Sequence, residues 1–84
     1  MDLREQVEKL QTRDNFIKFM HELVQDLRTH PEHWDNSSLD GYLEAFAAWV
    51  HDMDGYYRNR GEESPQQLTW KHVGEMLLAA RIYE

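Results

Sequence analysis

A chain of 84 residues with no cysteine and a net charge of −7 has room for one domain and one modest core. Disulfides and thiolate metal sites are excluded, and the charge argues against a nucleic-acid partner, because affinity for phosphate backbones comes largely from cations. The same charge permits a basic protein partner. Three Trp, four Tyr and three Phe make a packed core attainable and disorder unexpected.

The sequence begins Met1-Asp2-Leu3-Arg4-Glu5, which is acidic and lacks an apolar signal region. The longest apolar run, Ala45 to Val50, is far too short to span a bilayer. A cytoplasmic protein without membrane attachment is the expectation.

No strand pattern occurs, whereas helical spacing occurs four times. Leu3, Val7 and Leu10 mark a short amphipathic helix. Thr12 then offers an N-cap for a second helix, whose apolar stripe is Phe16, Ile17, Met20, Leu23, Val24 and Leu27, with Phe19 on its flank. This helix must stop before Pro31, since the residue before proline avoids helical angles. In the connector, Trp34 is expected to tuck under the core.

Ser37 or Ser38 caps the third helix, with Leu39, Leu43, Phe46, Val50 and Met53 as its expected core stripe. Tyr57 extends that stripe. Tyr42, Trp49 and Tyr56 form an aromatic ridge on one flank, and Gly41, Ala45 and Ala48 form a row of small residues beside it. Three such rows suggest packing on more than one side, so this helix is expected at the centre of the fold. A long loop from Arg58 to Gln67 follows, with Gly61 and Pro65 as breakers.

Thr69 caps the last helix, which carries Trp70, Val73, Gly74, Leu77 and Leu78 on one face. Met76, Ala79, Ile82 and Tyr83 spread its apolar character around the axis, so the helix is either deeply buried or part of an interface. Met76, Ala79 and Tyr83 have no evident intramolecular cover. A two-fold homodimer would cover them, as would an N-terminal helix folded back through Leu3, Val7 and Leu10. Arg81 falls on the core side of this helix. It either snorkels near the helix end or pairs with Asp52 or Asp54.

The most chemically suggestive stretch is His51-Asp-Met-Asp-Gly-Tyr-Tyr-Arg-Asn-Arg-Gly-Glu-Glu63. A calcium loop requires D-x-[DN]-x-[DN]-G-x5-E. With Gly55 in the glycine position, Val50 and Gly61 occupy the outer ligand positions. With Asp52 first, Tyr57 replaces the glycine. Neither register works, and the stretch reads as an acidic helix end followed by a polar loop. His30 and His33 flank Glu32, but no third ligand stands at a fixed spacing, so they read as solvated loop residues. Serines are explained as caps and turn residues, and no nucleophile elbow or phosphate loop is present. No catalytic, cofactor-binding or metal-binding residue is assigned, and the chain is read as a non-enzyme.

The segment "WDNSSLDGYLEAFAAWVHDMDGYY", together with the terminal "LLAARIYE", resembles a family of short uncharacterised bacterial proteins classed as a domain of unknown function. The matching positions include Trp34, Asn36, Leu39, Leu43, Trp49, Asp54, Gly55, Tyr56, Tyr57, Ala80, Arg81, Tyr83 and Glu84. The match runs from Phe16 onward and leaves residues 1–12 outside it. The resemblance implies a stand-alone bacterial domain and brings no activity, cofactor or catalytic residue. Size and charge are also similar, more loosely, to small acidic immunity proteins that block a toxin.

The expected fold is therefore an all-α bundle of three main helices plus a short N-terminal one, a single domain over residues 1–84. The expected function is a non-enzymatic protein–protein interaction module, in its most specific form immunity- or antitoxin-like. The candidate surface is Trp49, Asp52, Asp54, Tyr56, Tyr57, Met76 and Tyr83. The alternative is a small metal-dependent enzyme using His51, Asp52 and Asp54. Because both calcium registers fail, calorimetry should show no saturable calcium binding in the micromolar range of sensor loops. A stoichiometric isotherm abolished by Asp52→Asn with Asp54→Asn would overturn that reading and favour the enzyme.

Overall fold

The computed structural model describes residues 2–83. Four helices form in chain order: α1 (Leu3–Glu8), α2 (Arg13–Thr29), α3 (Leu39–Asn59) and α4 (Trp70–Ala80). A 3-10 turn, Pro31–His33, joins α2 to the segment before α3. Each helix begins on a side chain that accepts a backbone N–H of the first turn. Asp2 accepts from Glu5, Thr12 from Asn15, Ser38 from Gly41 and Thr69 from His72. At α4 the cap is reciprocal: the His72 ring nitrogen Nδ1 accepts the Thr69 N–H at 3.1 Å. Of the two candidate serine caps, Ser38 is the one used. No described helix is long and apolar enough to cross a membrane.

The centre of the fold is α4, not α3. Helices α1, α2 and α3 each pack on α4, whereas the backbone of α3 comes close to no other α-helix among the described residues. Two apolar clusters lie on opposite sides of α4. Val7, Leu10, Phe19 and Leu23 meet Leu77 and Leu78 on one side. Trp49 and Tyr57 meet Met76 and Ala79 on the other. An 11-residue helix covered on both sides must be apolar nearly all round, which accounts for its sequence. Met76 is buried against α3, so the side expected to lack intramolecular cover has one. The N-terminal helix covers the opposite side. Its own six residues are too few to be stable alone, and docking Val7 on the core holds them in place.

Close approach of α1 to α4 depends on Gly74. A Cβ at that position would lie 2.5 Å from Leu10 Cδ1 and 3.6 Å from Val7 Cγ2. The missing side chain is the space that Leu10 fills.

Two helices present a different face to the core from the one their spacing suggests. In α2, Phe19 is wholly buried and Leu23 nearly so, while Ile17 and Val24 are exposed. The buried face has rotated towards the expected flank. In α3 the expected stripe divides. Phe46, Met53 and Tyr57 do pack in the core, but Leu39, Leu43 and Val50 are 75%, 55% and 37% exposed. Trp49 of the ridge is buried, and Tyr42 and Tyr56 are half-buried. The aromatic ridge faces α4, with buried Ala45 beside it. Aromatic rings remove more apolar area from water than leucines do, and their hydroxyls find acceptors on α4. The Pro31 connector ends α2 as expected and places Trp34 against the first cluster.

These orientations set the cost of truncation. Phe19→Ala should destabilise the fold by about 3–5 kcal/mol, as buried phenylalanines do. Leu39→Ala should stay within about 0.5 kcal/mol, because its side chain is in water. Urea denaturation of the two variants measures the contrast, and equal effects would refute the orientation of the helices.

Candidate functional site

The Glu75 side chain enters the protein among apolar neighbours. It is the one carboxylate of α4 and is only 7% exposed. Burying an ion this way is costly unless donors surround it. Three do: Tyr57 donates its hydroxyl to Oε1 at 3.1 Å, while the Tyr56 hydroxyl and Arg60 Nη1 each donate to Oε2 at 3.2 Å. Arg60 also donates to the Tyr56 hydroxyl, and its guanidinium lies 5.3 Å from the Tyr56 ring centre. The last turn of α3 and its C-cap, Arg60, thus supply every donor that Glu75 uses. Burial, reinforced by the negative Glu75, pushes the Tyr57 phenol well above its ordinary value, and Tyr56 moves in the same direction for the same reasons. A groove of about 570 Å³ opens beside this cluster between α1 and α3, with Val7, Trp49, Ala79 and Ile82 among its apolar walls.

A second cluster closes the C-terminal end of α4. Free carbonyls at a helix end need donors when they are buried. Tyr42 donates its hydroxyl to Leu77 O at 2.7 Å, and Arg81 donates Nε to Leu78 O at 3.1 Å. Asn36 donates Nδ2 to Ala80 O at 3.0 Å and to Tyr83 O at 2.8 Å, and its backbone N–H to Arg81 O at 2.9 Å. Burial raises the Tyr42 hydroxyl to about 12. Arg81 does pair with a carboxylate, but the partner is Asp26 of α2 at 3.0 Å, not Asp52 or Asp54. The same Asp26 oxygen accepts Trp34 Nε1 at 2.8 Å, and the Arg81 guanidinium lies 5.8 Å from the Trp34 ring centre. Among the described residues, no buried side-chain nitrogen or oxygen lacks a partner.

The residues expected to form an interaction surface divide between core and solvent. Trp49, Tyr57 and Met76 are buried together in one cluster. Tyr56 is half-buried on Glu75. Tyr83 donates its hydroxyl to Asp52, which with the His51 hydrogen bond holds the Asp52 carboxyl below its ordinary range. Asp54 instead accepts from Ser64 Oγ. His51 Nδ1 and Asp52 Oδ1 are hydrogen-bonded at 2.9 Å, but Asp54 is turned to Ser64, and the three do not gather into one ligand cluster. Their stretch is the end of α3 followed by a loop that turns at Gly61, where φ is +73°.

Exposed apolar surface lies elsewhere. Between α2 and α3, whose backbones stay apart, runs a groove of about 400 Å³ floored by Leu77. Val24 and Leu27 line its α2 side, Leu39 and Tyr42 its α3 side, and Trp34 is a further wall. Leu43 and Val50 continue the apolar row along α3 beyond the groove. Asp40, Glu44 and Asp54 stand exposed along the solvent side of that row, against one cation of α3, Arg58. Arg28 sits on the α2 lip.

The model of a family of unknown function, DUF7660, matches residues 12–84. The chain belongs to that family. No curated protein and no solved structure matches it. In this family member, Trp34, Asn36 and Arg81 meet at the end of α4, while Trp49, Tyr56 and Tyr57 meet beside Glu75. Residues 1–11 lie outside the matched segment, yet Val7 and Leu10 complete the core of this chain.

The tyrosines give the fold an alkaline limit. The Tyr42 phenol has an ordinary value of 10.0 and a folded value near 12, and Tyr57 is shifted in the same direction. Above about pH 10 the unfolded chain loses phenolic protons that the folded protein retains, so stability falls as pH rises. The contribution is fully present below pH 10 and is lost as pH rises towards the folded values. Thermal denaturation should therefore show a melting temperature that declines from about pH 10 upward, with a shallower decline in Tyr57→Phe. A flat profile across that range would contradict the burial of these hydroxyls.

Proposed function

We propose that this member of DUF7660 is a non-enzymatic interaction module that seats a basic amphipathic helix of a partner protein in the groove between α2 and α3. The observation that carries this reading is the exposed row Leu39, Leu43 and Val50, at the i, i+4, i+11 spacing of a helix face. Such a row normally marks a contact, and a groove between two helices whose backbones stay apart matches the way amphipathic helices are recognised. The acids Asp40, Glu44 and Asp54 beside the row favour cations on the approaching helix, as does the overall charge of −7. Immunity- or antitoxin-like neutralisation of a basic protein is the most specific form of this reading. The alternative, a metal-dependent enzyme on His51, Asp52 and Asp54, has less behind it: His51 and Asp52 are hydrogen-bonded to each other, but Asp54 is engaged by Ser64 and does not join them.

The test is a Leu43→Glu variant. Its stability should change by no more than about 0.5 kcal/mol, because Leu43 is exposed. Affinity capture from the native host should yield a protein with a basic amphipathic helix. The synthetic peptide of that helix should bind the wild type, bind at least tenfold more weakly to Leu43→Glu, and lose affinity as salt is added. Peptide binding indifferent to Leu43→Glu would remove the exposed row of α3, and with it this reading. A homodimer in sedimentation equilibrium that Leu43→Glu dissociates would replace the foreign helix with a second copy of this chain.

A further inference from the structure

The turn that follows α2 gathers three potential metal ligands. His30, Glu32 and His33 each place one ligand atom within 4.8 Å of the other two. His30 Nδ1 and Glu32 Oε1 are 3.4 Å apart. Two ligands of a tetrahedral ion with bonds of about 2.0–2.2 Å are separated by roughly 3.3–3.6 Å, so this pair already has the required spacing. Bringing in His33 takes a side-chain adjustment of about 1 Å, within the freedom of an exposed imidazole.

The backbone explains the convergence. In a 3-10 helix, side chains three residues apart eclipse one another. His30 precedes the turn and His33 closes it, and their rings stack with centres 5.0 Å apart and planes inclined by 16°. Pro31 fixes the first backbone angle of the turn. Two backbone bonds hold it, His33 N–H to His30 O and Trp34 N–H to Pro31 O, both at 3.0 Å. Immediately downstream, Trp34 is anchored by its bond to Asp26. The ligands therefore project from a braced segment, although all three side chains are exposed. The neighbouring cavity of about 590 Å³ is lined by Asp2 and Glu22 as well as both histidines, carboxylates that favour a cation there. Arg4 and Arg81 also line it, and the charge of Arg81 is matched by Asp26.

We propose that His30, Glu32 and His33 form a surface site for a divalent transition metal of the zinc class, with water completing the coordination. Two imidazoles and a carboxylate suit zinc, nickel or copper and do not suit calcium or magnesium, which take oxygen ligands. The site stands apart from the groove row on α3 and from the His51, Asp52 and Asp54 stretch. Failure of either proposal leaves the other intact.

Titration calorimetry of the full chain with Zn²⁺ tests it, with cobalt absorption as a reporter of tetrahedral nitrogen–oxygen ligation. One ion should bind per chain in a saturable isotherm and raise the melting temperature. His30→Ala and His33→Ala should each weaken binding at least tenfold and abolish the thermal shift, while melting like the wild type without metal. His51→Ala, an exposed histidine outside the turn, should bind as the wild type does. Absence of saturable Zn²⁺ binding at submillimolar concentration would overturn the proposal. So would binding unchanged in both histidine variants, and a Glu32→Gln variant of unaltered affinity would overturn the three-ligand arrangement.

Discussion

A helix enclosed by its neighbours has no water to satisfy its polar groups, and the rest of this structure follows from that condition on α4. Its N-terminus is closed by Thr69 and His72. Its C-terminus is closed by Tyr42, Asn36 and Arg81, drawn from α3, the connector and its own end. Its one carboxylate, Glu75, is met by two phenols of α3 and the guanidinium of Arg60 just beyond it. The bonds at Glu75 and at the C-terminal carbonyls cost more to leave unmade than they contribute when formed, because a shielded acceptor without a donor loses its hydration without return. The polar clusters therefore align the surrounding helices on α4 as well as stabilising them. They leave little latitude in how α3 lies against it.

Enclosing α4 takes one face of each of its three neighbours and leaves apolar residues of α2 and α3, Val24 and Leu39 among them, in solvent. The Cα envelope measures 34 × 28 × 18 Å, and its thin dimension admits about two helix layers. In such an arrangement α2 and α3 can both reach α4 while their backbones stay apart, and the space between them stays open. The aliphatic row of α3 borders that opening, beside the aromatic ridge that is spent on α4. An exposed apolar row is thus a consequence of the same packing that satisfies Glu75. The interaction role proposed for the row builds on this division of α3 into an inner aromatic face and an outer aliphatic one.

The region around Trp34 joins several of these features. Its ring is a wall of the α2–α3 groove, its indole N–H binds Asp26, and Arg81 lies against its face. The histidine turn ends at the preceding residue. Asp26 and Arg81 are each mostly shielded, so their ion pair is better protected from solvent than the exposed pairs of Glu8 with Lys71 and Arg60. Removing one partner would leave a charge facing low-dielectric surroundings, which is the expensive way to lose such a pair. The three residues act together as a clasp between α2 and the end of α4.

The sequence by itself determined the number of helices, their order and their starting caps, because these depend on neighbours within one turn. Thr12 and Thr69 were readable as caps, the third cap as Ser37 or Ser38, Pro31 as the end of α2, and the apolar circumference of α4 as a sign of burial or contact. Tertiary structure alone decided which face of each helix is buried. On α3 the rows Leu39–Leu43–Val50 and Tyr42–Trp49–Tyr56 both recur with helical spacing, and periodicity cannot rank them. The rank came from α4, whose carbonyl at Leu77 and carboxylate at Glu75 give the tyrosine hydroxyls partners that leucines could not use. The lone acid in an apolar helix was a visible signal for Glu75, but its donors lie 15 to 19 residues away. Arg81 was legible as a charge facing inward, yet its partner Asp26 is separated by 55 residues and is identified only once α2 and α4 pack together. The histidine turn lacked a third ligand in the linear spacing because Glu32 reaches His30 and His33 only through the 3-10 geometry. Local rules act over one helical turn, whereas burial and pairing are set by which surfaces meet.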